Sequence, residues 1–71
     1  MIQGTVVYFN AKKGYGFISW ELNGVKQKDM FIHYSDIVMD GFKVLKINDK
    51  VCFELGKNIK GINKAVNLKI V

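Results

Sequence analysis

The 71-residue sequence contains no proline and no arginine, a single cysteine and a single histidine. Without arginine, the planar fork that reads guanine or clamps phosphate in two-pronged fashion is missing. All 11 basic residues are lysines, which act as point charges on anionic groups and read little of their shape. Cys52 by itself forms no internal disulfide, and no Cys or His residues stand at metal-ligand spacing. Neither kind of staple is expected, no metal or other cofactor is implied, and the core must stabilise the chain unaided. His33 has no Ser–His–acid set or metal cluster around it in the sequence, and Cys52 lacks a base, so the chain reads as a protein that is not an enzyme. No apolar stretch approaches the ~20 residues of a membrane span. Met1 to Thr5 also lack the charged region, apolar run and cleavage site of a secretory signal. No membrane partner and a reducing, cytoplasmic setting are therefore expected.

What is present fits one domain over residues 1–71. A net charge of +5 and a pI near 9.5 favour an anionic partner, because a positive field concentrates polyanions and speeds encounter with them. Composition by itself favours an ordinary soluble basic protein, since many small basic proteins bind nothing specific. A closed, lysine-rich exterior would favour a monomer.

Gly and Asn punctuate the chain, and between them apolar residues recur at period two with β-branched and aromatic types dominant. This predicts strands near Ile2–Asn10, Tyr15–Trp20, Asp29–His33, Lys50–Leu55 and Asn63–Ile70, an all-β chain. Turns are expected at Asn10–Gly14 and at Asn23-Gly24, a strong hairpin dipeptide. An irregular connection, Tyr34 to Asp49, joins the third and fourth strands. Five strands with one long connection fit a small closed barrel, which leaves no exposed sheet edge.

Alternation sorts the faces. In the second strand Tyr15, Phe17 and Ser19 share one side, and Gly16, Ile18 and Trp20 the other. In the third, Asp29, Phe31 and His33 lie opposite Met30 and Ile32. If Ile18, Met30 and Ile32 fill the core with Val51, Phe53, Leu55, Val66, Leu68 and Ile70, then Tyr15, Phe17, Phe31 and His33 face water. The first strand is apolar on both sides through Val6, Val7, Tyr8 and Phe9, and a β-bulge there would turn Tyr8 outward. Five Phe, three Tyr and one Trp exceed what so small a core needs. Trp20 alternates with Ile18 and is assigned to packing.

Lys13-Gly14-Tyr15-Gly16-Phe17-Ile18-Ser19-Trp20 satisfies most of the ribonucleoprotein pattern K/R-G-F/Y-G/A-F-V-x-F/Y, departing at Ile18 and Trp20. Rings two apart on a strand project on one face about 6 to 7 Å from each other, over which successive unpaired bases splay and stack. Gly14 and Gly16 are expected to leave room for those bases. Duplexes hide their base faces, so the pattern selects single strands.

The sequence resembles the bacterial cold-shock domain proteins over nearly its whole length. Lys13 to Ile18 is similar to that family's first RNA-binding motif and Met30-Phe31-Ile32-His33-Tyr34 to its second. Gly4 to Asn10, Ser35-Asp36-Ile37 and Asp40 to Leu45 match in the same order. The resemblance implies a five-stranded antiparallel OB-type barrel that binds single-stranded RNA and DNA and acts as an RNA chaperone, keeping transcripts unstructured. Carried over by position, the stacking rings are Tyr8, Phe17, Phe31, His33, Tyr34 and Phe42, with Tyr15 and Phe9 alongside. Lys13 would contact phosphate, and Asn10 and Asp29 would offer polar edges to bases.

The sequence departs from the family pattern at four places. Tyr8 stands where tryptophan is usual, Val7 where a basic residue is frequent, and Ile62 where proline is common. Glu21 to Lys28 is longer than the usual hairpin connection and carries Lys26 and Lys28. The rival reading is a protein-interaction barrel whose exposed rings form a docking patch, since aromatic side chains also anchor protein interfaces.

Overall fold

The computed structural model describes residues 1–39 and 44–71. Its strands are β1 (Ile2–Asn10), β2 (Tyr15–Leu22), β3 (Val25–Lys26), β4 (Met30–His33), β5 (Lys50–Lys57) and β6 (Asn63–Ile70). The sheet order β1-β5-β6-β4-β2, with β1 also pairing β2, closes a five-stranded barrel, and β3 hangs from β2 as a short extension. Every described pairing between strands is antiparallel except one: β4 meets β6 in parallel, with Phe31 opposite Lys64. That seam departs from the all-antiparallel expectation. There β4 and β6 run in the same direction. No helix among the described residues is long and apolar enough to cross a membrane.

Asn23 and Gly24 both have positive φ (53° and 81°), which is what a two-residue type I′ turn requires. They lengthen β2 by two residues beyond Trp20 and pair Glu21 with Lys26 and Leu22 with Val25. The base of this hairpin is tied down by Trp20, whose Nε1–H donates to the Lys28 carbonyl at 2.9 Å. The indole also packs edge-on against Phe53 with centroids 6.0 Å apart, so the tryptophan is a packing residue as expected. Trp20→Phe keeps a ring against Phe53 but removes the donor. We expect a stability loss of about 1 to 2 kcal/mol in urea unfolding followed by circular dichroism; an unchanged midpoint would mean the bond does not hold the hairpin.

The core draws Val6 from β1, Ile18 and Trp20 from β2, Met30 and Ile32 from β4, Val51 and Phe53 from β5, and Ala65 and Leu68 from β6. Ile37 and Leu45, from the irregular connection, complete it. Residues Tyr34–Asp36 form a 3-10 turn, after which Ile37 bridges to Leu68 and plugs the barrel. Three expected core residues are not in it. Val66 is only half-buried because an extra residue bulges out of β6 at Asn67 (φ 51°) between the pairs Cys52–Lys69 and Glu54–Val66. The bulge resets the alternation, so Ala65 and Leu68 point inward and Val66 does not. Leu55 is exposed because β5 runs past the start of β1, whose first residue, Ile2, is opposite Phe53. Ile70 is exposed as the last residue of β6.

Candidate nucleic-acid interface

β1 pairs Val6 with Ile18 and then Tyr8 with Phe17, leaving Val7 as the extra residue of a bulge. Val6 points into the core, and Val7 and Tyr8 both lie outside, each 40% exposed. The bulged backbone stays hydrogen-bonded on its other side: Val6 N–H donates to Asp49 (2.9 Å) and the Val6 carbonyl accepts from Asn48 N–H (2.7 Å). One inserted residue thus brings Tyr8 onto the side of the sheet that already carries the β2 and β4 rings.

The result is a row across three strands. Tyr8 lies 6.3 Å from Phe17, and Phe17 lies 6.1 Å from Phe31, which is its register partner. Tyr15 joins the row 6.2 Å from Tyr8, 6.2 Å from Phe17 and 6.0 Å from Phe31, the last nearly parallel at 23°. The within-strand spacing of Tyr15 and Phe17 falls inside the 6 to 7 Å expected from the pleat. Packed against one another at these distances, Tyr15, Phe17 and Phe31 are half-buried.

His33, opposite Tyr15, extends the row, with Tyr34 4.5 Å away. The His33 Nδ1 accepts from the Ser35 backbone N–H (3.3 Å) and pairs with the Ser35 hydroxyl (2.9 Å). Tyr34, 49% exposed, lies with its ring over Gly14, where an added Cβ would come within 2.5 Å of Tyr34 Cδ1. The two glycines of the motif therefore serve a different purpose from the one expected. Gly14 makes room for Tyr34, and Gly16 faces the β1 backbone at Tyr8 and Phe9 rather than the bases.

The polar residues divide. Asn10 Oδ1 accepts the Lys13 backbone N–H (3.0 Å), its carbonyl accepts from Gly14 N–H (2.7 Å), and its Nδ2 donates to the Tyr8 hydroxyl (3.3 Å). Asn10 thus shapes the turn and steadies Tyr8. Lys13 is exposed on that turn, and Asp29 is exposed just before β4, at the strand end away from the Lys13 turn. Phe9 is a correction. It pairs with Gly16 on the inner side, packs against the core and does not join the rings, because the bulge places Tyr8 rather than Phe9 on the outer face. Phe42 lies outside the described residues.

Sequence reasoning did not single out Lys64, although it sits opposite Phe31 across the parallel seam and makes the one ion pair among the described residues, with Asp36 at 2.9 Å. Its position depends on which strands become neighbours, and nothing in the local pattern carries that information.

Comparison with known proteins agrees with this architecture. The family described as "'Cold-shock' DNA-binding domain" matches residues 2–71. The cold shock protein of Arthrobacter globiformis is 49% identical over 61 residues, which cover 86% of this chain and 87% of that one. The major cold shock protein of Micrococcus luteus is 49% identical over 65 residues, 92% of each chain. That of Streptococcus pyogenes serotype M1 is 48% identical over 68 residues, 96% of this chain and 94% of the relative. With a closed five-stranded barrel, a ring row on its outer side and a match from Ile2 to the last residue, this chain belongs to the cold-shock domain family.

Proposed function

We propose that this chain binds single-stranded RNA and DNA by stacking bases on its ring row while lysines attract the phosphates, and that it acts as an RNA chaperone keeping transcripts unstructured. One observation carries the reading: Tyr8, Tyr15, Phe17 and Phe31 stand 6.0 to 6.3 Å apart on the solvent side of three adjacent strands. A core has no use for rings on that side, and stacked unpaired bases need them at about that spacing. The net charge of +5 and the DNA-binding description of the matched family support the same partner. In this reading Tyr8, Tyr15, Phe17, Phe31, His33 and Tyr34 stack bases, and Phe42 joins them by its place in the family pattern. Lys13 contacts phosphate, Asp29 offers acceptors to base edges, and Asn10 does so with whatever lone pairs the turn leaves free. The chain works as one domain, as a monomer, without a cofactor and in the cytoplasm.

The protein is a binder and not a catalyst, as the family is. Stacking accepts any base and lysine reads only charge, so sequence preference is weak. Titrating the intact protein with oligo-dT, oligo-dA and a duplex at two salt concentrations tests partner, strandedness and electrostatics together. With roughly four to six lysine contacts, log K for the single strand falls against log salt with a slope of about −3 to −4. The duplex binds much more weakly. A flat salt response, or equal affinity for duplex and single strand, favours a protein-docking patch instead. Opening of a labelled RNA hairpin by the protein without ATP then checks the chaperone role.

A further inference from the structure

We infer that Lys64 is a phosphate-contacting residue of the ring row, and that Asp36, which holds it, sets how much of its charge a bound strand feels. The inference rests on the nucleic-acid reading above and adds to it a residue and a means of adjusting affinity.

The register places Lys64 where such a contact is needed. Tyr8, Phe17 and Phe31 are successive cross-strand partners, and Lys64 is the next residue along that line, one strand beyond the last ring. Its other partner is Gly56 on β5, over which the Val66 side chain packs. A nucleic-acid backbone leaving a base stacked on Phe31 toward β6 meets this ammonium first. Asp36 belongs to the 3-10 turn that begins at Tyr34, so the carboxylate is fixed to the same segment that presents His33 and Tyr34. The pair is 2.9 Å long, with the Lys64 and Asp36 side chains 24% and 19% exposed, so a long side chain is held in one place instead of sampling solvent. An ammonium has three protons. Asp36 takes one, and no other hydrogen bond from Lys64 Nζ is found among the described residues. The remaining two are free to reach a phosphate oxygen, while the carboxylate offsets much of the charge that attracts one.

The test compares oligo-dT binding and its salt dependence for the wild type, Asp36→Asn, the double variant Asp36→Asn/Lys64→Gln, Lys69→Gln and Phe31→Ala, with thermal unfolding of each. The wild type and the double variant carry the same net charge, and Gln retains most of the lysine stem. Asp36→Asn is expected to bind about fivefold more tightly than the double variant at 0.1 M salt, with a slope steeper by ~0.7, the increment for one neutralised phosphate. The wild type should fall between them, and Lys64→Arg in the Asp36→Asn background should keep the tight binding. Lys69 removes the same charge from the part of β6 that pairs with Cys52, five residues farther along, and Lys69→Gln should change affinity by less than about twofold with little change in slope. Coincident Asp36→Asn and double-variant curves would overturn the assignment, as would a loss in Lys69→Gln as large as that caused by removing Lys64. Phe31→Ala separates the two levels of the argument: if it weakens binding while the Lys64 comparison is flat, only the Lys64 inference fails. If Phe31→Ala binds as the wild type does, the ring-row reading fails.

Discussion

Phe17→Ala should weaken single-strand binding by about 5- to 150-fold, the equivalent of the roughly 1 to 3 kcal/mol that a stacked base contributes. Phe31→Ala should do the same. Phe17 is the centre of the row, within 6.3 Å of Tyr8, Tyr15 and Phe31, so its loss both removes a stacking platform and leaves its neighbours without a lateral support. For that reason a modest stability cost of about 1 kcal/mol is expected as well, in line with the contribution of an aromatic pair. The contrast that decides the matter is Phe53→Ala, a fully buried ring on the other side of the sheet. It should cost about 3 to 5 kcal/mol of stability and leave the affinity of the molecules that remain folded near the wild-type value. Should Phe17→Ala lower the unfolding midpoint as far as Phe53→Ala does, with no separate loss of binding, Phe17 is a core residue and the face assignment is wrong.

Gly16→Ala is expected to be the most damaging small substitution in the protein, at about 3 kcal/mol or more of lost stability. A methyl at that position would collide with the Tyr8 carbonyl oxygen and would stand 2.8 Å from Phe9 Cα. Both are backbone atoms of β1, so no rotamer change relieves the clash. The strands must separate along the stretch where the bulge delivers Tyr8 to the ring row, and binding should fall together with stability. Gly24→Ala provides the comparison. There the space around the added methyl is open, and only the positive φ of 81° penalises it, a cost of about 1 to 2 kcal/mol. Chemical unfolding of the two variants measures the difference directly. Equal costs would show that the close approach of β1 to β2 is not what restricts position 16.

These two experiments probe different layers of the same motif. In Lys13 to Trp20 the outer side carries the rings and the inner side sets how closely β1 can approach. Gly14 and Gly16 look in the sequence like clearance for bases, yet each is filled from within the protein, by the Tyr34 ring and by the β1 backbone respectively. A glycine in a strand signals a close approach. Which group approaches is set by the partner strand.

Much of the barrel is legible without coordinates because alternation at period two is written locally. β1 and β6 run over the predicted spans, Ile2–Asn10 and Asn63–Ile70, and Asn23-Gly24 turns where its dipeptide says it should. The outward placement of Tyr15, Phe17, Phe31 and His33 follows from the same rule, since β2 and β4 contain no bulge and keep their phase throughout. The tertiary structure decided whatever depends on a partner. A single extra residue at Val7 and another at Asn67 reset the phase of β1 and β6, sending Phe9 inward, Tyr8 outward and Val66 off the core. The parallel seam set Lys64 beside Phe31, and Asp36, 28 residues earlier in the chain, closed on it. Sequence alone thus specified which residues can share a face, because that is a property of neighbouring peptide units. Which faces meet, and at what register, is a property of strands brought together from distant parts of the chain, and only their packing decides it.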